Sequence, residues 1–283
     1  MNDDLTQKNL LGLITDEERI LIERLTEEMP LKGAIVEAGS FFGASTKAFV
    51  EGLKKNKSLA TEEKQGRIHA FDKFEYGHWV HPRFIPRGVL QKGDSFLSYF
   101  EENLAGDMDY VTLHIGDVIE APQWEGGTID ILFLDICKTP KINDAVQDLF
   151  FPHLKPGSLL IQQDYIASTL NIWLYAAMKR LEHCFVRKEH CSVNSVVYEC
   201  IQTPTKEDLH NASACLMSHS ERIALSEIVL KEWEEIDYRA AEQIQYAILH
   251  YRKAVAMNRY GIRPVKAEDE PIERTDFAPN LPF

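Results

Sequence analysis

The chain has 283 residues, enough for one large α/β domain with an appendage or for two small domains. Its 45% hydrophobic and 27% charged content is that of an ordinary globular protein. The formal net charge of −13 argues against nucleic acid or an anionic membrane as partner, since both reward clustered Lys and Arg. The first residues, Met-Asn-Asp-Asp-Leu-Thr-Gln-Lys, have no apolar core like that of a signal peptide, and no apolar run reaches membrane-spanning length. Five cysteines without paired metal spacing read as reduced thiols, so a cytoplasmic setting is expected.

In chain order, residues 5–30 read as a leading helical segment in which Thr15 and Glu18 form a capping box, ended by Pro30. Ala34 to Ala38 is a buried strand, followed by a turn with Gly39 and Gly43 and a helix over 44–55. Glycines there let the backbone approach a ligand where a Cβ would collide. A strand over 67–72 ends in Asp72, and residues 74–92 form an aromatic-rich loop with two readings, packing filler or a lid over substrate. A helix capped by Asp94 or Ser95 leads to a strand over 110–115, then Gly116-Asp117. Ile129 to Asp135 is apolar on both faces, as a central parallel strand requires. A helix over 142–151, a Leu154-Lys-Pro-Gly157 turn, a strand over 158–162, a helix over 168–183 and a hairpin of segments 184–189 and 194–202 follow.

Repeated strand–helix alternation predicts an α/β, Rossmann-like, doubly wound and mostly parallel sheet of seven strands, with a helical C-terminal extension. The expected units are a helical segment 1–30, a core domain 31–203 and an extension with tail 204–283. Ser218 and Glu221 form another capping box, and Trp233, Ile236, Ala240, Ile244, Ala247, Tyr251 and Ala254 recur at helical spacing. These predict one long amphipathic helix whose stripe is buried on the core domain or on a second subunit. A homo-oligomer assembled through these helices is the expectation.

The acids and glycines at successive strand ends carry a resemblance. Glu37-Ala-Gly39 with Gly43, then Asp72, Gly116-Asp117, Asp135 with Lys138, the Leu154–Gly157 turn and Asp164 together resemble class I S-adenosylmethionine (SAM)-dependent methyltransferases over roughly residues 30–202. Within that superfamily the chain is most similar to small-molecule O-methyltransferases of the catechol and macrolide-sugar type. The resemblance implies SAM as cofactor and a small-molecule acceptor methylated on a hydroxyl oxygen. It implies that Glu37 and the backbone of Gly39 and Gly43 hold the methionine part of SAM, with Ser40, Ser45 and Thr46 also cofactor-binding. Asp72 would take the ribose and Asp117 with Gly116 the adenine, with Lys73 and Asp135 also counted as cofactor-binding. The catalytic candidates are Lys138, Asp135 and Asp164, then His78 and His81 from the aromatic loop. His114, alternating within a strand, reads as structural.

Metal-dependent relatives hold magnesium between acids at the ends of the fourth and fifth strands and follow the second acid with Asn or Asp. Here Tyr165 stands in that place, which leaves a third position to Asn143, Gln163 or water and puts magnesium in doubt. Two rival readings remain: an NAD-type Rossmann oxidoreductase, which the glycine spacing disfavours, and a non-catalytic scaffold, which the intact strand-end acids disfavour.

Overall fold

The computed structural model describes residues 12–77, 79–120, 124–166, 171–191 and 194–259. Its strands are β1 (Ala34–Ala38), β2 (Ile68–Asp72), β3 (Val111–Ile115), β4 (Ile129–Leu134), β5 (Leu154–Gln162), β6 (Phe185–His190) and β7 (Val196–Cys200). They form one seven-stranded sheet in the order β3-β2-β1-β4-β5-β7-β6. β1 to β5 pair in parallel, and β7 and β6 close one edge antiparallel. The order reverses between β1 and β4, the topological switch point at which open sheets of this kind bind ligands outside their carboxyl ends.

Eight α-helices flank the sheet: α1 (Asp16–Glu28), α2 (Ala44–Lys55), α3 (Leu97–Asn103), α4 (Pro140–Phe150), α5 (Ile172–Arg180), α6 (Lys206–Ala212), α7 (His219–Glu234) and α8 (Tyr238–Arg259). On one face Leu21, Ile22 and Leu25 of α1 and Phe49, Val50 and Leu53 of α2 pack on Ile35, Ile131, Phe133 and Ile161. On the other, Val36, Leu132 and Leu160 are covered by α4 and α5, and by α7 and α8 beyond them. Both faces of the central strands are thus buried, which is why they read as continuous apolar runs. The capping boxes at Thr15 and Ser218 form as expected.

Three boundaries differ from expectation. Helix α3 starts at Leu97 with Phe96 as its uncapped N-cap residue. Ser95 Oγ nevertheless accepts the Leu97 amide at 3.2 Å at the helix start, Asp94 accepts the Gln91 amide at 2.7 Å, and Ser95 pairs with Glu75 in an antiparallel bridge that closes the aromatic loop. Strand β5 begins at Leu154, so the expected turn lies within it; Ser158 Oγ accepts the Lys155 amide and donates to the Ile129 carbonyl there.

The third difference concerns the C-terminal stripe. The expected single helix is two, because the chain breaks between Glu234 and Tyr238 and Asp237 Oδ1 accepts the Arg239 and Ala240 amides to start α8. Most of the stripe is also buried within the chain itself, although Ile236 stays 44% exposed. Trp233 is 1% exposed, set edge-on to His190 at 4.9 Å with the Arg187 guanidinium over its ring at 4.6 Å, and Ile244 and Ala247 are fully buried. The physical reason is that α5 presents an apolar outer side that the sheet cannot cover, and α7 covers it. Assembly across a subunit boundary therefore gains no support from this stripe. The tail beyond residue 259, expected to be extended, lies outside the described residues.

Truncating Trp233 to Ala removes a fully enclosed indole and is expected to cost about 3–5 kcal/mol of unfolding free energy. Urea titration of the full chain measures this, and a loss below about 1 kcal/mol, the size of a surface change, would contradict the packing described.

Candidate active site

The turn after β1 is shaped by buried hydroxyls and a buried acid. Glu37, with no exposed surface, sits on the last turn of β1 and accepts hydrogen bonds from Ser45 Oγ and, at 2.6 Å, from Thr46 Oγ1. Ser40 lies beside the same carboxylate and favours its charged form, although its hydroxyl falls outside good hydrogen-bond geometry. Burial nevertheless pushes Glu37 up to about 7, against these hydroxyls. The Glu37 carboxylate thus clamps the first turn of α2 onto β1. Both Glu37 oxygens are directed to hydroxyls at the helix start.

Gly39 and Gly43 hold φ of 97° and 87°, where an L side chain is strained. A Cβ at Gly39 would also lie 2.7 Å from the Asp135 carbonyl, so the turn after β1 is pressed against the turn after β4. Gly43 is the N-cap of α2 and offers no capping side chain, which leaves the first amides of α2 to other acceptors.

At the ends of β2 and β3 the expected acids converge. Asp72 Oδ2 accepts the Phe41 amide at 2.9 Å and Oδ1 the Phe74 amide at 2.7 Å. Burial raises its pKa, with these amides pulling the other way. The Lys73 and Ser40 amides also favour its charged form. Lys73 pairs with Asp117 at 2.7 Å; burial alone would raise Asp117, but Lys73 and the Ile119 amide hold it below the usual carboxylate range. Gly116 donates its amide to the Asp72 carbonyl, and a Cβ there would meet nothing within 4 Å, so an open space adjoins both acids. A strand-end acid for ribose hydroxyls and another beside an open glycine suit a nucleoside.

At the ends of β4 and β5 the structure brings Asp135, Lys138 and Asp164 together. Lys138 Nζ donates to Asp135 Oδ1 at 2.7 Å and to Asp164 Oδ2. Asp164 holds φ of 58°, a left-handed conformation uncommon outside glycine, which directs the chain after β5 back toward the lysine. The three side chains keep 18–39% of their surface open to the cleft. Burial raises Asp135, Lys138 opposes this, and Asp164 adds to it. Burial also works against the lysine charge, but the two carboxylates outweigh it and raise its pKa, so Lys138 is an ammonium at neutral pH.

This donor set does not fit a magnesium ion. An ammonium fills the space between the two carboxylates. Tyr165, in the place of a third ligand, is 2% exposed and packs its ring against Tyr175, Tyr198 and Trp233. Asn143 is buried in α4 and donates to Asp144. Gln163 lies in the turn just past β5, with its Oε1 buried and unpaired.

Of the histidines, His81 is exposed and accepts the Arg83 amide, apart from the acid–lysine cluster. His78 lies outside the described residues. His114 is bonded to His69 at 3.0 Å and stacks on Phe71, a layer below the strand ends. Two contributors escaped the sequence. Phe41, at φ 47°, receives Trp79, Phe84 and Phe96, so the aromatic loop is seated on the glycine turn. Glu18 accepts from Asn194 and Ser195 as well as completing its capping box, which pins α1 beside the fifth strand end; the capping pattern masked that second role.

The family model described as a methyltransferase domain matches residues 36–165, from the middle of β1 to just past Asp164. Over this segment, just under half of its length, the chain is similar to a methyltransferase domain. The structure of the O-methyltransferase NovP is similar, with a TM-score of 0.52 at 13% identity over 68% of this chain and 83% of that one. So is the apo structure of CalS11, a TDP-rhamnose 3'-O-methyltransferase of calicheamicin biosynthesis, with a TM-score of 0.50 at 17% identity over 71% and 87%. At such identities the likeness bears on the fold. Comparison with curated protein sequences finds no match. No helix among the described residues is long and apolar enough to cross a membrane.

The Glu37 clamp makes a pH prediction. Its pKa is raised on folding from 4.5 to about 7, so the folded state binds the extra proton and stability declines as pH rises through that window. Glu37→Gln is expected to remove roughly 3 kcal/mol of that decline. Unfolding midpoints of both proteins measured from pH 4 to 8 check it, and parallel curves would contradict it.

Proposed function

We propose that this methyltransferase moves the methyl group of SAM to a hydroxyl oxygen of a small-molecule acceptor. The single observation behind the reading is the charged cluster of Asp135, Lys138 and Asp164, set beside the glycine turn at the switch point. Such a cluster suits an oxygen nucleophile, which needs a hydrogen-bond donor to fix it and a nearby carboxylate to take its proton. Both named structural relatives are O-methyltransferases, which agrees with it. The buried thiols Cys137, Cys184, Cys191 and Cys200 suit a reducing, cytoplasmic setting.

In this reading Asp72 accepts the ribose hydroxyls, Asp117 and Gly116 face the adenine, and the backbone of Gly39, Ser40 and Gly43 lies along the methionine part. SAM supplies an electrophilic methyl on a sulfonium, and transfer to oxygen leaves the C–S electron pair on a neutral thioether. Lys138, being charged, orients the acceptor oxygen rather than deprotonating it. The proton passes to the carboxylate pair, where burial favours a proton on Asp135, and then to water. The aromatic loop lies against Phe41 and borders the same turn.

Two measurements test the reading. Asp72→Ala is expected to weaken SAM binding in calorimetry by about 1.5–3 kcal/mol, the size of a charge-assisted hydrogen bond. Incubation with methyl-labelled SAM and a panel of phenols and sugar nucleotides is expected to put label into an O-methyl ether. Label found only on nitrogen or carbon would overturn the oxygen assignment, and unchanged affinity in a folded Asp72→Ala protein would overturn the ribose assignment.

A further inference from the structure

We propose that this methyltransferase works without a divalent metal, because the ammonium of Lys138 holds the cation position between Asp135 and Asp164 as a built-in substitute. The inference rests on reading this cluster as the acceptor site. Three independent features converge on it. First, one ammonium reaches both carboxylates, at 2.7 Å to Asp135 Oδ1 and in direct contact with Asp164 Oδ2, the arrangement a bridging cation would take. Second, the residue after Asp164 offers no ligand. Tyr165 is turned into the aromatic core beneath α7, with ring centroids 4.9 Å from Tyr175 and 5.9 Å from Tyr198. Third, the backbone is built for the lysine. Lys138 donates its own amide to the Ile136 carbonyl at 2.6 Å in a tight turn just before α4, and this brings its side chain back over Asp135.

Hard divalent ions need six or more oxygen ligands and bind through carboxylates and water. Here such an ion must displace an ammonium already paired with both acids. The ammonium has donors to spare: of its three N–H groups, two serve the carboxylates and one is left for an acceptor oxygen. A point charge on a flexible stem thus does two jobs that metal-dependent relatives assign to a bound ion. It cancels repulsion between neighbouring strand-end acids, and it positions the oxygen. Loss of the lysine should expose the acid pair to real cations.

The test is manganese titration of the full chain, followed by electron paramagnetic resonance of free Mn²⁺, with S-adenosylhomocysteine present. Wild-type protein is expected to take up no stoichiometric Mn²⁺. Lys138→Ala is expected to bind it at least about tenfold more tightly, since opposite charges at contact range no longer compete with the ion. The gain should vanish in Lys138→Ala combined with Asp164→Asn. Lys138→Arg, which restores a cation, should remain blind to Mn²⁺. Calorimetric heats of S-adenosylhomocysteine binding show that each variant is folded, and in wild-type protein they should be unchanged by chelator. One Mn²⁺ per wild-type chain, lost in Asp164→Asn, would overturn the proposal, and so would a folded Lys138→Ala protein that gains no Mn²⁺. Failure of every variant and of wild-type protein to bind the cofactor product would instead count against the methyltransferase reading, because the manganese arm reports on the acid–lysine cluster alone.

Discussion

Two carboxylates at the ends of neighbouring parallel strands repel each other across a cleft, and the arrangement of this molecule's carboxyl edge depends on the one cation set between them. Asp135 and Asp164 are carried to the same place by the register of β4 on β5, which pairs Leu134 with Gln162. Without Lys138, burial and mutual repulsion would both favour protonating one of them. With it, the cluster keeps a net negative charge beside the glycine turn proposed to hold the sulfonium, and a hydrogen-bond donor for the proposed acceptor. A buried ion pair is weak evidence of stability, since desolvation offsets attraction. This one is better understood as a device for position: the left-handed Asp164 and the tight turn at Lys138 are local strains whose product is a fixed ammonium.

The other half of the edge is held by acids that face inward. Glu37 clamps Ser45 and Thr46, and Asp72 clamps the Phe41 and Phe74 amides, so the glycine turn and the root of the aromatic loop are fixed from below. Phe41 then carries the rings of Trp79, Phe84 and Phe96. A change at Asp72 would therefore reach the loop as well as the ribose. The C-terminal helices act at a distance. By burying Trp233 against Tyr165 they fix the residue that follows Asp164, and so help to decide that no third oxygen ligand is offered there.

The sheet was largely legible in the sequence because its central strands are buried on both faces and punctuated by glycine and acid at their ends. The capping patterns at Thr15 and Ser218 were legible for a similar reason: each is a local hydrogen-bond exchange within four residues. What escaped was non-local. Ser95 accepts the Leu97 amide as its place before the helix suggests, but its backbone bridge to Glu75 joins residues 20 apart and leaves no local pattern. The stripe from Trp233 to Ala254 has one helical period, yet Asp237 restarts the helix within it, and periodicity cannot register a break that preserves phase. Glu37 stood out as an acid of the cofactor motif, but sequence does not say which way a strand-end carboxylate points. Lys138 stood out too, while its bridge to Asp164 spans 26 residues and depends on strand register.

The central claim is that the carboxyl edge of this sheet holds SAM with Lys138 as its resident cation. A crystal structure of the full chain with S-adenosylhomocysteine, grown in excess magnesium, tests it most directly. The account predicts the nucleoside over Asp72 and Gly116, with Lys138 Nζ still bridging Asp135 and Asp164. A magnesium ion between those carboxylates with the lysine displaced, or the nucleoside bound elsewhere on the chain, would contradict it.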